Sequence, residues 1–157
     1  MKKRTVFIGA ILSLIPLGQP LLIKTGMVLS SSAVMLSLPE KVNAESADFY
    51  FDRAYEKAEK GDHYGAISDY TKAIELDPKY ADAYYNRGYS KDELQDYYGA
   101  ISDYTKAIEI DPKYADAYVN RGIEKELIED IKGACADWRK ASDLGVEDAA
   151  NWVRDQC

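Results

Sequence analysis

The chain has 157 residues, 46% apolar and 30% charged, with 20 Lys and Arg against 27 Asp and Glu. That is about one domain at roughly 100–200 residues per domain, and the balance excludes a wholly disordered chain. Residues 1–44 hold five basic groups and one acid, so the other 113 residues carry a net charge of −11, which repels phosphate backbones and excludes sequence-independent nucleic-acid binding.

The chain opens with Lys2-Lys3-Arg4, followed by nineteen uncharged residues from Thr5 to Ile23. A second uncharged stretch, residues 25–39, leads to Val42-Asn43-Ala44. A basic start, an apolar core and a site ending in Ala describe a secretory signal, cut after Ala44. It is longer than most signals, and Pro16 and Pro20 would kink a helix there. The alternative is an uncleaved anchor over residues 5–23, close to the roughly 20 residues that span a bilayer. Both readings place residues 45–157 outside the cytoplasm, in a periplasm or comparable lumen.

Beyond residue 44 the chain repeats itself. Residues 64–88 read YGAISDYTKAIELDPKYADAYYNRG and residues 98–122 read YGAISDYTKAIEIDPKYADAYVNRG, differing only at Leu76/Ile110 and Tyr85/Val119. The 34-residue offset extends to Ala66, Ala100 and Ala134, to Tyr70, Tyr104 and Trp138, and to Tyr50, Tyr84, Tyr118 and Trp152. Units of about 47–80, 81–114 and 115–148 follow, with a remainder at 147–157. In the middle unit Asp77-Pro78 reads as a helix start and the first helix runs to about Leu94. Gln95-Asp96 forms a turn, with Asp96 capping a second helix that ends near Ile110. Apolar residues at Tyr97, Ala100, Ile101, Tyr104, Ala107 and Ile108 have helical spacing, and no strand-like alternation appears after residue 44. One such helix pair cannot bury its own apolar face, whereas a stack can.

These residues resemble the tetratricopeptide repeat, whose pattern is W-x2-L-G-x2-Y, then A-x3-F, then P. The middle unit supplies Tyr84, Arg87, Gly88, Lys91, Ala100, Tyr104 and Pro112 at those places; the third has Val146 in place of the Pro. The resemblance implies an all-α, right-handed solenoid of three helix-turn-helix units plus a C-terminal capping helix over 147–157. Small Gly88 and Ala100 would sit where helices cross. Arg53, Arg87 and Arg121 stand where the family usually has Leu, and Lys57, Lys91 and Lys125 where it has Tyr. Asp69, Asp103 and Asp137 recur at the same offset, so each Arg is expected to pair with one of them; otherwise the Arg heads reach solvent along their stems.

Residues that could carry catalysis are sparse. His63 is the one histidine, beside the expected cap Asp62, and suits a capping or surface role. No phosphate loop, dinucleotide fingerprint or calcium loop is present. The acid pairs Asp92-Glu93 and Glu129-Asp130 read as solvated charge rather than a glycosidase-type pair. No catalytic residue, metal site or cofactor is therefore expected. Cys135 and Cys157 could bridge in an exported protein, closing a loop worth roughly 3 kcal/mol, or remain two free thiols.

The resemblance implies a non-enzymatic scaffold that binds a protein segment. The alternatives are a membrane-tethered assembly factor and, from another class, an enzyme's regulatory subunit. In the family the first helix of each pair lines a concave face. Its positions fall here on Phe51, Tyr55, Tyr85, Tyr89, Val119 and Ile123, bordered by Asp48, Asp82, Asp116, Asp92, Glu93 and Glu126, with Asn86 and Asn120 nearby. The family's clamp for chain-terminal carboxylates needs Lys, Arg and Asn there, and only the Asn residues have a counterpart. The expected partner therefore carries apolar anchors with Lys or Arg between them. The competing reading makes the aromatics core and the acids ordinary surface charge.

Overall fold

The computed structural model describes residues 46–157. The signal or anchor, residues 1–44, lies outside them, as does the cut expected after Ala44. The described residues form seven helices and no strand: α1 (Ala47–Glu59), α2 (His63–Leu76), α3 (Ala81–Asp92), α4 (Tyr97–Ile110), α5 (Ala115–Leu127), α6 (Ile131–Asp143) and α7 (Glu147–Gln156). Each helix packs on the next, and α1 also touches α3. The helix pairs begin at Ala47, Ala81 and Ala115, at the spacing of the internal duplication. This is the all-α solenoid with a C-terminal capping helix that the repeat implies.

Local chemistry sets the helix ends. Asp62, Asp96 and Asp130 accept from the backbone N–H of Gly65, Gly99 and Gly133 at 2.9–3.0 Å, so each second helix of a pair is capped alike. Ser46 does the same for α1 through Phe49 N–H. One expectation fails here, because Asp77-Pro78 does not open α3. Asp77 closes α2 and its carboxylate accepts from Lys79 N–H at 2.9 Å, a side-chain turn that competes with helix. The helix begins at Ala81 instead, with Asp82 charging its first turn. It also ends at Asp92 rather than Leu94, since Gln95 takes φ +61° and the chain tightens onto Lys91 and Asp92 carbonyls.

Alanines and aromatics make the core. Tyr50, Ala54, Ala66, Tyr70, Ala73, Ile74 and Ala83 form one cluster, and Ala107, Ile108, Ala117, Tyr118, Ala134, Trp138, Ala141 and Ala149 another, with Tyr84 packing against both. Gly88 is where α3 crosses α4. A Cβ there would lie 2.8 Å from the buried Tyr104 ring, so hydrogen is the side chain that fits. Gly122 meets Trp138 in the same way one unit later.

The recurrent charges pair within each unit. Arg53 binds Asp69 through two hydrogen bonds of 2.6 and 2.7 Å, Arg87 binds Asp103 at 2.7 and 2.9 Å, and Arg121 binds Asp137 at 2.6 and 2.9 Å. Lys57, Lys91 and Lys125 reach the same three carboxylates. All three aspartates are buried, so the Arg heads are not simply solvated. Arg87 and Arg121 also donate to Thr71 and Thr105 of the preceding unit, tying neighbours together. At the C-terminus Cys135 and Cys157 form a disulfide with Cα atoms 5.8 Å apart, joining α6 to the end of α7. Trp152 of α7 lies 5.7 Å from Trp138, in the place of a fourth-unit aromatic.

Candidate functional site

An open groove of about 490 Å³ lies along the first helices of units one and two. It is lined by Tyr55, Ala58 and Glu59 of α1, by Gly61, His63 and Tyr70 at and along α2, and by Tyr85, Asn86, Tyr89 and Glu93 of α3 and its cap. Tyr55 and Tyr89 are 50% and 44% exposed, so their rings are open to a ligand in the groove. Tyr85 is half-buried, stacked on Tyr114 at 4.9 Å, and accepts from the Asn120 amide at 3.0 Å. Burial pushes the Tyr85 hydroxyl above its ordinary range, so it stays a neutral hydrogen-bonding group. Glu59 and Glu93 sit at the C-terminal ends of α1 and α3, where helix carbonyls already favour cations. No Lys or Arg lines the groove.

Of the residues named from sequence, the structure brings Tyr55, Tyr85, Asn86 and Tyr89 together in this groove. Phe51 stacks on Tyr80 at 4.9 Å and leans on Tyr70, so it packs within the unit. Asp82 is taken by the Tyr114 hydroxyl at 2.8 Å. Val119 packs on the second core cluster, Asn120 on Tyr85, Ile123 is half-buried and Asp116 is exposed.

Two placements differ from the sequence reading. His63 was expected to cap or lie on the surface; it is the first residue of α2, half-buried, and lines the groove. Asp92 was grouped with solvated charge, yet it is half-buried and hydrogen-bonds Glu124 of α5, itself only 2% exposed. Burial first, and then Asp92, push the Glu124 carboxyl up to about 8. Glu124 thus holds its proton beside Asp92, where units two and three meet. Glu59 and Tyr70 were also missed as groove residues. Glu59 holds the same place in unit one as Glu93 in unit two, so the 34-residue register carried the signal for it, whereas Tyr70 comes from a second helix, whose motif role is core.

The family comparisons agree with this architecture. A TPR repeat model matches residues 54–91 and a tetratricopeptide repeat model matches residues 81–114. The TPR domain of Arabidopsis OM64 is 30% identical, covering 72% of this chain and 98% of that one, with a TM-score of 0.66. The chain belongs to the tetratricopeptide repeat family. Other tetratricopeptide repeat structures are also similar. The second TPR domain of human RPAP3, in complex with the HSP70 peptide SGPTIEEVD, is 27% identical over 69% of this chain and 92% of its own, with a TM-score of 0.65. The second TPR of Spaghetti (RPAP3), bound to the HSP90 peptide SRMEEVD, is 28% identical over 62% and 91%, with a TM-score of 0.61. No curated protein matches this tetratricopeptide repeat chain. Among its described residues, no group of three or more His, Cys, Asp or Glu could hold a metal ion. No described helix is long and apolar enough to cross a membrane.

Proposed function

We propose that the chain is a non-enzymatic interaction scaffold that works outside the cytoplasm and binds a protein segment in its concave groove. The observation that carries this reading is the groove itself, with Tyr55 and Tyr89 left half-exposed beside Tyr85. Tyrosine supplies large contact area with few rotatable bonds, which suits recognition. The peptides held by the two RPAP3 relatives end in Glu-Glu-Val-Asp. Glu59 and Glu93 would repel such an end, so this groove favours a segment with apolar and basic residues. The Cys135–Cys157 disulfide supports an oxidising compartment and therefore export.

Replacing Tyr55, Tyr85 and Tyr89 together by Ala tests the groove. Helicity by circular dichroism should persist while capture of the native partner is lost. Capture that survives the triple change removes the groove from the function. Mass spectrometry of the mature N-terminus tests export: a chain beginning at Glu45 supports it, and an uncut N-terminus in the soluble cytoplasmic fraction refutes it.

A further inference from the structure

The face of the first helices changes character from one unit to the next. Between α1 and α3 the groove holds Tyr55, Tyr70, Tyr85 and Tyr89, His63 and the two carboxylates Glu59 and Glu93, and no Lys or Arg. The hydroxyl of Tyr89 donates to Glu93, which orients that carboxylate. One unit later the 34-residue register replaces Tyr85, Tyr89 and Glu93 by Val119, Ile123 and Leu127. Two of the unit's aromatics and its acid are exchanged for three aliphatic side chains, and Leu127 is 55% exposed on α5. Tyr85/Val119 is also one of only two differences between the 25-residue blocks, so the duplication has diverged where the groove lies.

Cations are favoured at the first of these places for three separable reasons. The carboxylates attract them, the C-terminal ends of α1 and α3 add partial negative charge, and tyrosine faces attract a Lys or Arg head while packing its alkyl stem. At the second place three aliphatic side chains offer apolar contact, with Asp116 and Glu126 on the same helix. With neighbouring helices about 10 Å apart and an extended chain advancing about 3.3 Å per residue, the place between α1 and α3 lies about four to five residues of ligand from α5.

We infer that the groove and the α5 face beside it read a two-anchor extended segment: a Lys or Arg against Tyr55, Tyr85 and Tyr89 with its charge between Glu59 and Glu93, and an aliphatic side chain about four to five positions away on Val119, Ile123 and Leu127. The inference rests on the groove reading of the proposed function and adds the chemistry and spacing of the ligand.

Fluorescence anisotropy of the full-length chain with labelled Ser/Ala peptides, each bearing one Lys and one Leu at varied spacing, tests it. Binding should be tightest near a spacing of four to five. It should weaken about tenfold with Glu59→Gln plus Glu93→Gln, and weaken further with added salt. Leu127→Ser should lower the affinity of Leu-bearing peptides and leave Lys-only peptides unchanged. Glu59, Glu93 and Leu127 are all exposed, so these variants are expected to fold, which circular dichroism verifies. Peptides with Glu in place of Lys that bind equally well overturn the inference. So does a double Gln variant that binds normally while the triple Tyr→Ala variant does not, an outcome that leaves the groove reading standing. Binding that survives both sets of changes, or no binding by any peptide at millimolar concentration, overturns both.

Discussion

Asp103 carries two obligations at once, to Arg87 and to Lys91, with distances of 2.7–2.9 Å and almost no solvent contact. Breaking a buried pair by deleting one partner strands the other charge and costs about 3–5 kcal/mol. Asp103→Ala should therefore lower the urea midpoint far more than a surface Asp→Ala such as Asp143→Ala, and a similar loss for the two would remove the network from the stability account. Titration separates two other carboxylates. Hydrogen bonds from Arg53, outweighing burial, and then Lys57 hold Asp69 down at about 2. Its contribution is fully present above pH 4 and fades as pH falls toward 2. Glu124 has the opposite sign. With its folded value near 8, the native state keeps a proton that the unfolded chain gives up near 4.5, so stability falls as pH rises from 4.5 to 8. The groups facing it are Asp92 of α3 and, from α4, Tyr104. Glu124→Gln should flatten that upper arm in urea melts at several pH values; an unchanged slope assigns it to another group.

At the scale of elements, Gly88 and the terminal disulfide set how closely helices are held. Alanine is a better helix former than glycine by about 1 kcal/mol. Against that, a methyl 2.8 Å from the buried Tyr104 ring must push α3 off α4, and such overpacking costs about 1–3 kcal/mol. Tyr104 has no room to yield, so Gly88→Ala should be net destabilising in urea, despite its better propensity; a stabilised variant would show that the α3–α4 crossing is looser. The helix α7 has a short apolar face, with Ala149 buried and Trp152 and Val153 partly so. Its tether to α6 through Cys135 and Cys157 restrains a loop of 22 residues in the unfolded chain, worth roughly 3 kcal/mol. Reduction should raise amide exchange in α7 well before α3 and α4 respond. Equal protection in both redox states would show that packing alone holds the cap.

For the whole molecule, the near-identity of residues 64–88 and 98–122 makes the α2–α3 and α4–α5 interfaces interchangeable. Deleting residues 81–114 joins Tyr80 to Ala115 and sets Arg121 over Thr71, as Arg87 was. Stability of such arrays is close to a sum of unit and neighbour contributions. The shortened chain should remain helical and unfold cooperatively at a lower urea midpoint. It should also lose affinity for Lys-bearing peptides, since Tyr85, Tyr89 and Glu93 leave with the unit. A variant with no cooperative transition would show that the units are not modular.

Period, helix type, the caps at Asp62 and Asp96 and the small residue at the crossing were all legible in the sequence, because each depends on chemistry within one 34-residue unit. So were the partners of Arg53, Arg87 and Arg121 as residue types, though not which unit would supply them. What failed locally failed for a local competitor: Asp77 could cap a helix or close a turn, and Lys79 N–H decided for the turn. The groove was legible in part. Tyr55, Tyr85, Asn86 and Tyr89 followed from first-helix register, which also holds Glu59 at the place of Glu93, whereas His63 and Tyr70 enter from a second helix whose approach is set by packing. Tertiary structure alone decided that Asp92 meets Glu124, two residues on different units whose spacing obeys no repeat rule. It also decided that Phe51 belongs to Tyr80 while Tyr55 faces the groove. Sequence periodicity says which side of a helix is apolar; only the neighbouring helices determine how much of that side they cover.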